Sequence, residues 1–171
     1  MSNEHSAAGQ DGAQAIGPDA FSSQEKAMLN ELLSTTFNSV TRIEEKSLNM
    51  RFLEGLTIAE IHTIDAIGLH QTVPMKAIGS KLGVTMATVK AAVNRLERKG
   101  YVTRTRGEQD RRQMLVTLTT NGRKALRVHD AFHRKMVDRA LEGLSRDEEA
   151  ALVKALANVK AFFDEEYETL Q

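Results

Sequence analysis

The stretch from Val73 to Thr119, VPMKAIGSKLGVTMATVKAAVNRLERKGYVTRTRGEQDRRQMLVTLT, limits what this chain can fold into more than any other. Pro74 suits the first turn of a short helix, where its missing N–H has no intrahelical partner, and Gly83 turns the chain after Leu82. Thr85 caps a second helix. In it Met86, Val89, Val93 and Leu96 recur at spacings of three or four and form one apolar stripe, leaving Thr88, Lys90, Ala91, Asn94 and Arg95 largely off it. Gly100 ends that helix. Tyr101 to Arg106 and Gln113 to Leu118 are β-branched and alternating, and the segment from Gly107 to Arg112 supplies a turn between them. Two helices at a sharp angle followed by a basic hairpin make a winged helix-turn-helix, so the expected class is mostly α with a small β-wing.

Such a motif fits double-stranded DNA. A helix enters the major groove of B-DNA, short polar side chains near its N-terminus reach base edges, and a basic hairpin beside it reaches phosphates or the minor groove. Charge provides an independent test. From Val73 to Arg127 thirteen lysines and arginines face Glu97, Glu108 and Asp110, a net +10, so the rest of the chain carries −10 although its 23 basic and 23 acidic residues cancel. A solvated charged face usually mixes both signs, whereas one sign gathered on a reading head is what phosphate neutralisation needs.

Composition narrows the alternatives. With 171 residues there is room for one domain, or a small domain plus helices that pair with another copy. There is no cysteine, hence no disulfide, thiolate metal site or thiol nucleophile, in keeping with a reducing cytoplasm. No apolar run approaches the roughly 20 residues that span a bilayer, and the N-terminus lacks the basic flank and apolar core of a secretory signal.

Outside the reading head, residues 1–19 are rich in Ser, Ala, Gly, Gln and Asn and read as a disordered tail. Residues 20–56 hold a long helix to about Asn49, with Leu29, Leu32, Leu33, Phe37, Val40, Ile43 and Leu48 at helical spacing. Thr57 and Glu60 form a T-x-x-E capping box that opens a helix to about Gly68, after which His70 to Val73 is expected to pair with the wing; residues 57–119 make the DNA-binding domain. In residues 120–171, Thr119 caps a helix that ends near Gly143, and Ser145 with Glu148 opens a last helix carrying Leu152, Leu156, Val159, Phe162 and Phe163. The flanking helices carry more apolar surface than so short a region can bury alone. Pairing into a homodimer answers that, and it sets two recognition helices about 10 base pairs apart on a near-palindromic operator.

Leu96-Glu-Arg-Lys-Gly-Tyr101, Asp110-Arg-Arg112 and Leu118-Thr-Thr-Asn-Gly122 resemble the MarR family of bacterial transcriptional regulators, a likeness that extends over about residues 25 to 168. Glu60-Ile-His-Thr-Ile-Asp65, Glu108-Gln-Asp-Arg-Arg112 and the run from His129 to Val137 look like its fatty-acid-synthesis repressor branch. The resemblance implies a cytoplasmic homodimer and no required cofactor. Carried onto matching positions, it implies that Arg112, oriented by Asp110 and flanked by Arg111, is the wing arginine, and that Thr85, Thr88, Lys90, Asn94 and Arg95 face the major groove.

Two effectors are implied. The fatty-acid branch is similar to repressors that bind DNA more tightly with long-chain acyl groups on acyl carrier protein; Met28, Leu32, Phe37, Ile61, Ile64, Phe132 and Met136 would line the acyl tunnel, or serve simply as core. The competing effector is zinc. His129 and His133 are four residues apart on one helical face, and with His62 and Glu44 they resemble the site of zinc-responsive MarR members, whose second site includes a cysteine that this chain lacks. A third outcome is that no effector binds. A metal-dependent hydrolase built on the same four residues is the distant alternative, and the +10 head argues against it.

Overall fold

The computed structural model describes residues 21–47, 53, 55–108 and 110–169, so the expected tail, Met1 to about Asp19, lies outside the described residues. The chain divides into two compact units, residues 1–44 and 45–171. α1 (Ser23–Ser47) runs through the described part of the first unit and three residues past its end, and its expected end near Asn49 falls outside the described residues. It opens on a reciprocal cap not anticipated from the sequence. Ser22 N–H donates to Glu25 Oε2 at 2.8 Å, and Glu25 N–H donates back to Ser22 Oγ at 3.2 Å. Met28, Leu29, Leu32, Phe37 and Ile43 are exposed along it.

The second unit follows the order that its capping residues dictate. α2 (Ile58–Ile67) begins at Thr57, where both halves of the capping box with Glu60 are formed. β1 (Thr72–Pro74) leads straight into α3 (Met75–Leu82), with Pro74 as N-cap rather than first helical residue, and left-handed Gly83 closes α3. α4 (Met86–Arg98) is capped by Thr85, whose side chain accepts from Thr88 N–H. β2 (Val102–Arg106) and β3 (Met114–Leu118) form the wing, followed by α5 (Thr120–Leu141) and α6 (Arg146–Thr169).

The antiparallel sheet runs β1-β3-β2, with Val73 opposite Val116 and Arg104 opposite Val116 on the other side. The strand expected at His70 to Val73 begins two residues later and ends one residue later, at Pro74. Thr72 and Thr117 hydroxyls meet at 2.9 Å across the pair, which fixes that register. The core packs Ile61, Ile64 and Ile67 of α2 and Ile78 of α3 against Val89, Val93 and Leu96 of α4, closed by Val102, Val116, Leu118 and Leu126.

One member of the α4 stripe differs from expectation: Met86 is exposed, and Ala92 is buried among Val89, Val93 and Leu96. At 100° per residue Ala92 falls on the same side of the helix as Leu96, whereas Met86 lies at the margin of the arc and in the first turn, beyond the edge of the core. α5 is clamped to the start of the wing, because Thr119 N–H donates to Tyr101 O at 3.0 Å and Thr119 Oγ1 donates to Gly100 O at 2.7 Å. α6 has no buried residue at all. Among the described residues no helix is long and apolar enough to cross a membrane.

Candidate nucleic-acid interface

The core fixes which face of α4 is free. With Val89, Ala92, Val93 and Leu96 inward, Thr85, Thr88, Lys90 and Asn94 are all exposed. At the N-terminus Thr85 Oγ1 accepts from Thr88 N–H at 3.3 Å, and the two hydroxyls lie 3.0 Å apart. Two short hydroxyls and the positive end of a helix dipole thus stand together, an arrangement suited to phosphate oxygens and base-edge acceptors.

Arg95 is placed differently from its neighbours. Its Nε donates to Glu60 Oε1 at 3.2 Å, and Lys99 Nζ donates to Glu60 Oε2 at 2.6 Å and to Gly55 O at 2.6 Å. Glu60 itself is fully buried. Burial by itself would raise its pKa. The hydrogen bond from Lys99, the Thr57 N–H, the charge of Lys99 and the bond from Arg95 outweigh burial and hold the carboxyl below its usual value. The same Glu60 that caps α2 therefore ties α2 to α4 from behind, and Arg95 serves that tie. Neither ion pair was foreseen, since 35 residues separate Glu60 from Arg95.

The wing tip is a tight structure. Gly107 N–H donates to Gln113 O at 2.9 Å, and Gln113 N–H donates to Asp110 O at 3.0 Å. A Cβ on Gly107 would stand 2.8 Å from Asp110 O, so only glycine lets the tip fold back so closely. Asp110 Oδ1 accepts from Arg112 N–H at 2.9 Å, so it orients Arg112 through the backbone rather than through the guanidinium. Arg111 and Arg112 are exposed on the turn so formed.

Arg104 of β2 joins wing to helix. Its Nη1 donates to Asn94 Oδ1 at 2.7 Å and its Nη2 pairs with the Glu97 carboxylate. Sequence reasoning missed this residue. Its place in the alternation of β2, half-buried between exposed Thr103 and Thr105, was the available signal, but its partners are set by the register of α4 against the sheet.

The remaining candidates scatter. Met28, Leu32 and Phe37 are exposed on α1 of the first unit; in the second, Ile61 and Ile64 are fully buried core residues, Phe132 is half-buried and Met136 is exposed on α5. His129 is buried on α5, His133 Nε2 lies 3.2 Å from His129 Nε2, and the rings of His62 and His129 are 5.8 Å apart between centroids. Glu44 is the last residue of the first unit.

A profile of the MarR family matches residues 54–113, from the end of the segment before α2 to the wing tip. The crystal structure of Streptococcus pneumoniae FabT in complex with DNA superposes with a TM-score of 0.74 at 40% identity, covering 82% of this chain and 98% of that one. The chain belongs to the MarR family. Bacillus subtilis YfiV, an uncharacterized HTH-type transcriptional regulator, is 30% identical over 103 residues, which is 60% of this chain and 64% of YfiV. The DNA complex of S. aureus MepR, 22% identical with a TM-score of 0.64, covers 79% of this chain and 97% of that one and shares the fold. This MarR-family chain is, like the relatives it matches, a DNA-binding transcriptional regulator and not an enzyme.

Proposed function

We propose that this regulator acts in the cytoplasm as a homodimeric repressor of fatty-acid-synthesis genes, on a near-palindromic operator and with long-chain acyl carrier protein as co-repressor. Thr85, Thr88, Lys90 and Asn94 contact the major groove, and Arg112, with Arg111 beside it, enters the minor groove. The observation that carries the DNA reading is the exposed polar face of α4 beside a wing whose Asp110 sets the backbone of Arg112. The fatty-acid branch is supported by the 40% identity with FabT along nearly all of that chain. Dimerisation is supported by α6, a 24-residue helix without a buried side chain, since a helix with that much apolar surface is stable only when something covers it. In this reading residues 20–56 and 120–171 pair the subunits and residues 57–119 read DNA. An acyl chain needs an apolar lining, for which Met28, Leu32 and Phe37 are the candidates of the first unit and Phe132 and Met136 those of the second, while Ile61 and Ile64 pack in the core.

A specific observation favours a second effector. Two nitrogens bound to one tetrahedral zinc at about 2.0–2.1 Å stand about 3.3 Å apart, close to the 3.2 Å between His129 and His133 Nε2. The same spacing also suits a hydrogen bond between two neutral imidazoles. Within the second unit the residues of the zinc reading are His62, His129 and His133. Fluorescence anisotropy on DNA upstream of the protein's own gene separates the two. Tighter binding with long-chain acyl carrier protein, indifferent to chelator, is the expected result. Tightening by zinc that is lost in a His129→Ala/His133→Ala variant would replace the acyl reading by a metal sensor.

A further inference from the structure

The last turns of α6 come to rest beside the turn that starts α4. Tyr167 Oη donates to Gly83 O at 3.0 Å, across 84 residues of sequence. With Lys76, Ser80, Thr85 and Met86 it lines a cleft of about 540 Å³ at the junction of α3 and α4. That turn has little room to adjust: Gly83 is left-handed, Val84 N–H donates to Gly79 O at 3.1 Å, and Thr85 caps α4. The phenol therefore holds the end of α6 against the end of α4 whose two hydroxyls and positive dipole meet DNA in the proposed function. What α6 carries there is acid. Asp164, Glu165, Glu166 and Glu168 surround Tyr167, the last turn of α6 has no basic residue, and Asp164 is offset by its ion pair with Lys160. At 100° per residue Glu166 and Glu168 flank Tyr167 on either side of the helix, whereas Glu165 points nearly away from it.

We infer that the acidic end of α6, anchored by Tyr167, is an autoinhibitory brake on DNA binding, in which Glu166 and Glu168 repel the phosphates that approach the N-terminus of α4. The inference rests on the proposed groove contact of Thr85 and Thr88. A duplex carries one negative charge per about 1.7 Å of axis, so a carboxylate within a Debye length of it, about 10 Å at 0.1 M salt, acts on several phosphates at once. Lys76, in the same cleft, is the cation whose attraction for phosphate these carboxylates oppose. Their repulsion takes no account of base sequence. It weakens operator and unrelated DNA alike, leaves discrimination to α4, and fades as salt rises.

The test is anisotropy titration of the full-length protein on operator and on an unrelated duplex at about 50 and about 200 mM salt, with sedimentation as the check on assembly. Glu166→Gln/Glu168→Gln should tighten binding to both duplexes by roughly fivefold at the lower salt and by less at the higher. Tyr167→Phe, which keeps the ring and loses the donor, should also tighten both. Neutralising the two glutamates in that background should then gain less than in wild type, because the charges are no longer held at the turn. Glu165→Gln, on the far side of the helix, should do less than Glu168→Gln. Unchanged affinity on neutralisation, an undiminished gain in the Tyr167→Phe background, equal effects of Glu165→Gln and Glu168→Gln, or weaker operator binding by Tyr167→Phe would each overturn the inference. Thr88→Ala separates that failure from a failure of the underlying reading. It should weaken operator binding; if it does not, the contact of this end of α4 with DNA falls, and the inference with it.

Discussion

Two residues carry more of this fold than their types suggest. Glu60 is a buried carboxylate shared by Lys99, Arg95 and the cap of α2, and its pKa is held below the usual value. A depressed carboxyl contributes stability that is complete above the unfolded value, about 4.3, and is lost as pH falls through the lower folded value. Thermal melts from pH 7 down to pH 3 should therefore show wild type losing its advantage over Glu60→Gln on the acid side. A constant difference across that range would dissociate the cap from the charge. At pH 7 the substitution should cost about 2 kcal/mol, below the ~3–5 kcal/mol for breaking a fully buried pair, because Arg95 and Lys99 turn partly to solvent. Gly122 is the second. A Cβ there would stand 2.2 Å from the backbone oxygen of Tyr101, so Gly122→Ala should destabilise by about 2–3 kcal/mol in urea unfolding. An unchanged midpoint would show that α5 can lift off the wing without cost.

Among the elements, the wing owes its shape to Gly107 and Asp110. Gly107→Ala should distort the tip and weaken operator binding about tenfold, or ~1.4 kcal/mol, while the urea midpoint changes little. Equal affinity would mean that the tip geometry does not position the arginines. Element boundaries were the legible part of the sequence. Thr57 with Glu60, Gly83, Thr85, Gly100, Thr119 and Ser145 with Glu148 act on neighbours within four residues, so local chemistry alone places helix starts and stops. What needed the fold was long in sequence. Arg95 reads as an outward-facing α4 residue until α2 brings Glu60 beneath it, and Arg104 reads as a generic wing cation until β2 lies against α4. The candidate face Thr85, Thr88, Lys90 and Asn94 was legible because the stripe opposite it was, even with Ala92 standing where Met86 was expected.

At the scale of the molecule, the proposed function gives the basic head the DNA and the exposed apolar residues of α6 a second subunit. Leu156 is exposed on α6 and packs into no core, so Leu156→Glu should leave the subunit folded and shift sedimentation from dimer toward monomer. An unaltered dimer would exclude that face of α6 from the interface. If the wing and α4 together bind the operator, anisotropy titration of wild type and Arg112→Glu on operator and unrelated duplexes at physiological salt should show operator binding abolished by the charge reversal while the dimer stays intact. Undiminished affinity of Arg112→Glu for the operator would remove the wing from the interface.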